Sequence, residues 1–212
     1  MKITKYGHAC LLVEEGGATI LLDPGVWNPV PEATGIDAVF ITHEHQDHID
    51  IPQVTAVLGR NPDAVIYTHE AVGRLLEEAG LLYTPIAEGE TVSIQGVPVQ
   101  SFGHDHAIIY GSASPCRNTG FLINERLYVP GDALHDVPLK PVEILALPTG
   151  APWMKLAEAI EYAKKVRPKV VFPIHDAMYT EEYQRGLVPR IVGRNLEGIE
   201  FRDMQAGAVE EF

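Results

Sequence analysis

The sequence predicts an α/β (α+β) protein in which two β-sheets are covered by helices and a histidine-rich segment lies on a loop at one sheet edge. Three observations lead to this expectation. Strand pairs dominate the first half of the chain, amphipathic helical segments alternate with short buried strands, and a histidine-rich segment directly follows an apolar run at residues 38–41. Apolar spacing of two residues indicates strands and spacing of three to four residues indicates helices.

The N-terminal third reads as a series of strands. Residues 3–6 and 9–13 lead into a Glu-Glu-Gly-Gly hairpin signal, and residues 18–22 form the returning strand. Asp-Pro-Gly then breaks the pattern, and a proline-rich loop leads to a buried strand at residues 37–42. The following elements are predicted as a short helix (54–58), a strand (64–67) and a helix (70–79) with Gly80 as its C-cap.

The second half mixes strands with helices. Residues 91–94 and 97–102 are predicted to form a hairpin around Gln95-Gly96, and residues 120–123 and 126–129 a second strand pair. A buried strand (144–147), a helix with one apolar face (155–166), another strand (170–172) and a helix opening at Thr180 follow. The C-terminal residues 201–212 are weakly patterned.

Size and charge restrict the class of protein. A chain of 212 residues is expected to form one domain over residues 1–212. The net charge of −13 and the pI near 5.0 argue against nucleic acid or an anionic membrane as the main partner. No apolar run of about 18 residues is visible, so membrane insertion is not expected. No signal peptide is visible either, so a cytoplasmic location is expected. The two cysteines do not form a disulfide framework.

A cluster of metal-binding residue types is the most informative part of the chain. His43, His45, Asp47 and His48 fall within six residues, directly after the predicted buried strand. Imidazole and carboxylate at short spacing suit zinc, and also manganese, iron or nickel. His43 and His45 can converge on one ion, while Asp47 and His48 can point to a neighbouring ion. The cluster therefore predicts two divalent metal ions, with zinc the first expectation.

Further candidate ligands occur singly along the chain: Asp23, His104 or His106, Asp132 and His175. Asp132 follows Gly131, which allows close approach of the backbone, and its two oxygens could serve two ions. His104 and His106 share the same parity along the chain, so strand alternation does not choose between them.

These motifs together resemble the metallo-β-lactamase superfamily. The segment His43-x-His45-x-Asp47-His48 matches the signature of the family. Further family motifs are matched by Asp23 in Leu-Leu-Asp-Pro-Gly, by Gly131-Asp132, and by His175 in Val-Phe-Pro-Ile-His-Asp. The resemblance spans residues 2 to about 185, and the opening Tyr6-Gly7-His8-Ala9-Cys10 is similar to the branch of L-ascorbate-6-phosphate lactonase and related Zn-dependent hydrolases. It implies a four-layer αββα sandwich and a dinuclear site.

The resemblance also implies roles for individual residues. The first ion would bind His43, His45 and His106, the second Asp47, His48 and His175, and Asp132 would bridge the two. His106, followed by a small residue, fits the third histidine of the family better than His104, which would then lie in the pocket. Asp23 would orient a liganding histidine from behind, His8 would act through hydrogen bonds, and Trp153 would line the pocket or anchor a helix.

The function expected from these residues is metal-dependent hydrolysis. A metal ion lowers the pKa of bound water to about 7, which provides hydroxide at neutral pH, and Asp47 or Asp132 would orient it and move its proton. The expected substrate is a small molecule, an ester or lactone with or without a phosphate. Arg117, Lys140 and Lys155 are candidates for binding an anion, and solvated surface charges are the alternative.

Two other functions stay open from the sequence. One is a phosphodiesterase that acts on a small phosphate ester or lipid headgroup, and the other is a metal-binding protein without catalysis. The chain lacks an obvious lid, so a second copy could complete the pocket in a homo-oligomer.

Overall fold

Two mixed β-sheets face each other in the computed structural model, which describes residues 1–103 and 105–212. The first sheet has the strand order β14-β1-β2-β3-β4-β5-β6, antiparallel from β14 to β3 and parallel from β3 to β6. Its strands are β1 (Lys2–Gly7), β2 (Cys10–Glu15), β3 (Ala18–Leu22), β4 (Ala38–Phe40), β5 (Val65–Thr68), β6 (Thr84–Pro85) and β14 (Val209–Glu211).

The second sheet repeats this plan with the strand order β13-β12-β11-β10-β9-β8-β7. It is antiparallel from β7 to β10 and parallel from β10 to β13. Its strands are β7 (Thr91–Ile94), β8 (Val97–Phe102), β9 (Gly120–Ile123), β10 (Leu127–Val129), β11 (Ile144–Pro148), β12 (Val170–Ile174) and β13 (Glu200–Phe201). The interior strand β11 is buried at every residue, as expected for a parallel strand covered on both faces.

Four helices cover the outer faces of the sheets. Within the described residues these are α1 (Ile51–Arg60), α2 (Glu70–Glu78), α3 (Leu156–Val166) and α4 (Val188–Asn195), with a π-helical turn at Tyr183–Leu187 before α4. Pro189 has no N–H to donate to the preceding turn, which accounts for a change of helical pitch at this point.

Three apolar clusters define the layers. The first lies between the sheets and joins residues such as Leu11 and Phe40 to Phe121 and Phe172. The second packs α3 and α4 on the second sheet, and the third packs α1 and α2 on the first sheet. Each fully buried Leu or Phe side chain contributes about 1.5–3 kcal/mol. The layers run helix, sheet, sheet, helix, so the predicted four-layer αββα sandwich is confirmed.

Most predicted elements are present, and the differences have local causes. Helix α1 runs over ten residues where five were predicted, because Asp50 caps it by accepting from Gln53 N at 3.2 Å and Pro52 starts the first turn. The weakly patterned C-terminus contains β13 and β14, which pair at sheet edges. Among the described residues, no helix is both long and apolar enough to cross a membrane.

Candidate metal centre

The predicted ligands lie on loops that follow the C-terminal ends of strands. Asp23 follows β3, the histidine cluster follows β4, Asp132 follows β10 and His175 follows β12. The carboxyl ends of neighbouring parallel strands open onto the same edge of a sheet, which is where α/β folds place their ligands. The His8 turn between β1 and β2 lies at the same edge, since His175 N donates to His8 O at 3.0 Å.

One group of donor atoms comes from His43, His45, His106 and Asp132. His43 Nε2 lies 3.1 Å from His45 Nδ1, and His106 Nε2 lies 3.3 Å from Asp132 Oδ2. Two ligand atoms bound to one tetrahedral zinc ion are about 3.3 Å apart if each bond is about 2.0–2.1 Å. The spacing of this group therefore fits one small cation.

A second group comes from Asp47, His48 and His175, with His8 beside them. His175 Nε2 lies 3.4 Å from Asp47 Oδ2, and His48 Nε2 lies 3.9 Å from the same oxygen. These three residues are the second ligand set expected from the sequence.

Asp132 faces both groups with its single carboxylate. Its Oδ1 lies 3.2 Å from His48 Nε2, while its Oδ2 lies 3.3 Å from His106 Nε2 and 3.0 Å from His175 Nε2. The side chain is only 4% exposed. A carboxylate in this position can contact two cations at once, which is the bridging role expected for Asp132.

Oxygen acceptors fix the orientation of the buried imidazoles. The Nδ1–H of His106 donates to Ala107 O at 2.6 Å, and that of His175 donates to Gly150 O at 2.7 Å. The Nδ1 of His43 lies 3.0 Å from Thr42 Oγ1. Each ring thus turns a lone pair on Nε2 toward the centre, which is how ligand histidines are held in metal sites. His45 is reversed: its Nδ1 faces the centre, and its Nε2 lies 3.8 Å from Cys116 Sγ.

Asp23 lies behind the cluster and holds His48. Its Oδ2 is 2.8 Å from His48 Nδ1, and it accepts from Thr42 N at 2.8 Å and from Thr42 Oγ1 at 2.9 Å. All three residues are fully buried. Asp23 is thus placed to orient a histidine rather than to reach an ion.

His8 is placed to position Asp47. Its Nδ1 accepts from Ala177 N at 3.2 Å, so the ring proton resides on Nε2 and is donated to Asp47 Oδ2 at 3.2 Å. A nitrogen that carries this proton is not available as a ligand. The geometry therefore gives His8 the hydrogen-bonding role expected from the sequence.

Strained backbone supports these side chains. His8, Asp23 and His175 have φ of 43°, 45° and 55°, in the left-handed region that non-glycine residues rarely adopt. Gly131 has φ +63°, and a Cβ there would lie 2.2 Å from Asn118 Oδ1. The same amide oxygen accepts from Asp132 N at 2.9 Å, so glycine at position 131 lets Asn118 hold the bridging residue.

The electrostatics of the centre favour positive charge between its carboxylates. Burial by itself would raise the pKa of Asp132, but His175 and His48 hold it well below its usual range. Burial by itself would lower the pKa of His175, but Asp132 and Asp47 raise it to about 9. Burial, reinforced by His48, lowers the pKa of His43 well below its ordinary value. In the second donor group, the proton on His175 therefore provides the positive charge that a bound cation would otherwise provide.

Several buried atoms of the centre have no hydrogen-bond partner among the described residues. They are Asp132 Oδ1 and the Nε2 atoms of His48, His106 and His175. Buried polar atoms are rarely left unsatisfied, and all four point into the two donor groups. The donor set of imidazoles and carboxylates is chemically suited to divalent transition metals. The residues present thus fit one cation in each group.

The structure brings together all seven expected ligands and places Asp23, His8 and Trp153 beside them. His104 lies outside the described residues, and His106 occupies the position of the third histidine. Three contacts were not expected from the sequence: Thr42 links Asp23 to His43, Asn118 holds Asp132, and Cys116 lies near His45. Thr42 could have been suspected as the residue directly before His43, but no local pattern marks Asn118.

The expected anion-binding residues do not reach this centre. Lys140 pairs with Glu125 and lies with it on another cavity, beside β7 and β8. Arg117 and Lys155 are exposed, and neither lines the cavity above the two donor groups. The interpretation of these cations as surface charges is thus the better one.

Known proteins with similar sequences cover most of the chain. A protein from Mycobacterium tuberculosis, Rv0786c, is 36% identical over 184 residues, which cover 84% of this chain and 85% of the relative. A protein of Methanocaldococcus jannaschii named UPF0173 metal-dependent hydrolase MJ1163 is 28% identical over 187 residues, or 82% and 83% of the two chains.

Solved structures share the fold at lower identity. Igni18, described as a metallo hydrolase from the archaeon Ignicoccus hospitalis, aligns with a TM-score of 0.74 at 22% identity and covers 100% of this chain and 98% of its own. A diphosphatase of the PhnP family aligns with a TM-score of 0.69 at 17% identity, covering 100% and 96%.

A family model identifies the chain more directly. The model described as the β-lactamase superfamily domain matches residues 2–175, which include every expected ligand. The four-layer architecture agrees with this match. The chain therefore belongs to the metallo-β-lactamase superfamily.

Proposed function

We propose that this chain hydrolyses a small carboxylic ester or lactone at a centre of two divalent cations. The chain is a metal-dependent hydrolase of the metallo-β-lactamase superfamily; the substrate, the number of ions and the preference for zinc are the proposal. One observation carries it. The carboxylate of Asp132 faces both donor groups at 3.0–3.3 Å, so the two groups form one centre.

The residues that would hold the ions follow from the donor atoms. His43, His45 and His106 would bind one ion, and Asp47, His48 and His175 the other, with Asp132 between them. When bound, such ions polarise a substrate carbonyl and lower the pKa of water to about 7. Both effects favour attack by water on an ester or lactone carbonyl.

Asp47 is the carboxylate that we assign to orienting the attacking water. Its side chain is 14% exposed, whereas that of Asp132 is 4% exposed, so Asp47 is more accessible to water. Burial by itself would raise the pKa of Asp47, but the imidazoles of His175 and His8 beside it hold that pKa below its ordinary range. The carboxylate therefore stays ionised at neutral pH and can accept a hydrogen bond from water.

The space above the centre supports a small reacting group. A cavity of about 140 Å³ lies over the donor atoms and contains both Asp47 and Asp132 in its wall. Pockets that take drug-sized ligands span about 300–1,000 Å³. The reacting group itself has to enter this cavity, and the carbonyl of a small ester or lactone is of suitable size.

A substrate panel tests the proposal. Lactones, carboxylic esters and phosphodiesters should be assayed with wild-type protein, with Asp132→Asn and with the exposed control Asp63→Asn. We expect turnover of esters or lactones, lost by about 100-fold or more in Asp132→Asn, since even residues that only support metal ligands cost up to about 100-fold, and retained in Asp63→Asn. Turnover of phosphodiesters alone would contradict the proposal in favour of the phosphodiesterase. Bound metal with no turnover of any class would favour a non-catalytic metal-binding protein.

A further inference from the structure

Apolar side chains surround the candidate metal centre on the side open to solvent. The cavity of about 140 Å³ is lined by five of the expected ligands and by five apolar residues: Trp27, Ile109, Pro152, Trp153 and Met178. These five come from four separate loops, after β3, β8, β11 and β12. We call them the apolar collar. The polar atoms of this cavity therefore belong mostly to the metal centre itself.

Three members of the collar are large apolar residues that are exposed to solvent. Trp27 is 41% exposed, and Ile109 and Met178 are each 45% exposed. Trp27 is held in place by its edge contact with the His8 ring, whose centroid lies 4.8 Å from its own. Contiguous exposed apolar surface beside a polar centre marks a ligand-binding site. Burial of this surface by a substrate would contribute binding energy close to the reacting atoms.

Apart from the proposed cations and their histidine ligands, the described residues around the cavity offer no positive charge to an anionic substrate. None of the described residues that line it is Lys or Arg. A groove of about 700 Å³ shares His106 and Trp153 with this cavity and continues from it. The charged residues of the groove are mainly acidic: Asp105, Glu158 and Glu161 against Lys165. An anionic group in the groove would meet these carboxylates, and neither space offers an arginine clamp, the usual partner of phosphate.

We propose that the substrate is a neutral molecule whose carbonyl carries, or is esterified with, an apolar group of phenyl size bound by the apolar collar. This inference rests on the proposed function and narrows it, because it excludes the phosphorylated ester. The volume agrees, since a cavity of about 150 Å³ accepts one benzene ring. The remainder of a larger substrate would extend into the acidic groove.

A pair of esters that differ mainly in charge tests this assignment. 4-(Methylsulfonyl)phenyl acetate is neutral, and 4-sulfonatophenyl acetate is an anion of similar size and a weak metal ligand. The value of kcat/KM for each, divided by its rate of alkaline hydrolysis, should be measured on the metal-containing protein as purified. We expect the neutral ester to be favoured by about tenfold or more, which corresponds to about 1.4 kcal/mol. Equal or reversed preference would overturn the assignment.

A binding measurement separates the collar from the reaction. The amide analogues, 4-(methylsulfonyl)acetanilide and 4-acetamidobenzenesulfonate, are far more resistant to hydrolysis, and their Kd can be measured by ligand-observed NMR. Trp27→Ala and Ile109→Ala should each weaken the neutral amide by about fivefold or more. Leu82→Ala is the matched control, because Leu82 is 91% exposed and lines neither space.

The outcomes distinguish the two proposals. Neutral amide binding that depends on the collar, without ester turnover, would contradict ester hydrolysis and support the collar as a binding site. Two results would contradict the collar assignment but leave ester hydrolysis standing. One is ester turnover with equal normalised kcat/KM for the neutral and the anionic ester. The other is ester turnover with a Kd for the neutral amide that Trp27→Ala and Ile109→Ala do not change. Absence of detectable binding of the neutral amide would also overturn the collar assignment.

Discussion

The indole Nε1–H of Trp153 donates a hydrogen bond of 2.9 Å to Oδ2 of Asp132. This oxygen also lies within 3.3 Å of the Nε2 atoms of His106 and His175. The indole therefore holds the bridging carboxylate in the rotamer that faces both donor groups. Trp153 also belongs to the apolar collar, so one side chain links the metal centre to the proposed substrate site.

Replacement of Trp153 by phenylalanine should weaken the centre without unfolding the chain. The Trp153→Phe variant keeps an aromatic ring but removes the hydrogen bond to Asp132. Loss of such a supporting bond typically costs about 10–100-fold in metal affinity or activity. Competition with a chelator and steady-state kinetics measure both effects, with Leu82→Ala as control. Unchanged metal affinity and unchanged kcat would show that the indole does not position Asp132.

The Asp23→Asn variant should weaken metal binding most strongly at the second group, because Asp23 contacts His48 directly and His43 only through Thr42. Asp23 accepts from His48 Nδ1 at 2.8 Å and from Thr42 N at 2.8 Å, and an amide cannot accept as many bonds. We expect metal affinity at the His48 group to fall about 10–100-fold and the free energy of unfolding to fall by about 1–3 kcal/mol. Metal titration and urea unfolding measure these quantities. An effect no larger than that of Asp63→Asn would contradict the role of Asp23.

Metal binding should release protons, and it should become tighter as the pH rises. The pKa of His175 is raised to about 9 in the metal-free chain, so this imidazole is protonated at pH 7. A metal ion needs the neutral form and displaces the proton, so the association constant should rise up to about tenfold per pH unit for each proton released. The rise should become less steep above about pH 9, where His175 no longer carries its proton.

Calorimetry in buffers of different ionisation enthalpy counts the released protons. More protons should be released at pH 7 than at pH 9.5. Because the pKa of His175 is higher in the folded chain than in the unfolded chain, where it is near 6.5, its protonation stabilises the metal-free fold at pH values below 6.5. This contribution to the free energy of unfolding is lost as the pH rises through about 9. The metal-free chain should therefore become less stable across this range. Equal proton release at both pH values would contradict the electrostatics described for the centre.

A buried ion pair beneath the centre should be important for stability. Lys5 Nζ donates to Asp176 Oδ2 at 2.6 Å and to Pro173 O at 2.7 Å, and the Lys5 side chain is 0% exposed. The Lys5→Met variant would leave the Asp176 carboxylate buried without its partner, which costs about 3–5 kcal/mol. Urea unfolding measures the loss.

The double variant Lys5→Met/Asp176→Leu is the matched comparison. Removing both charges avoids the uncompensated carboxylate, so this variant should recover part of the lost stability. If the double variant is as unstable as Lys5→Met or less stable, packing rather than charge would explain the effect.

Much of the fold follows from local sequence signals. Alternating or continuous apolar residues mark the central strands, because those residues pack between the sheets or under helices. The short edge strands β6, β13 and β14 lack such a signal, since their residues are largely exposed and are ordered by pairing with neighbours. The length of α1 also depends on its cap at Asp50, which lies outside the apolar pattern.

The centre was predictable where ligands are close in sequence or carry a family motif. The His43-to-His48 cluster and Asp132 are such cases. Strand alternation could not choose between His104 and His106. The choice of His106 is consistent with the structure, in which its Nε2 lies 3.3 Å from Asp132 Oδ2. Asn118 and the collar members other than Trp153 were not predictable from the sequence alone, because they come from distant loops and each looks ordinary in its local context.

Metal content tests the central claim most directly. Protein purified without added metal should be analysed by elemental mass spectrometry, alongside His45→Ala, Asp132→Ala and the control Asp63→Asn. The two donor groups predict two ions per chain in the wild type and in Asp63→Asn, and a loss in both ligand variants. A folded wild-type chain that contains no metal and takes up neither zinc nor manganese would contradict the account of a dinuclear hydrolase.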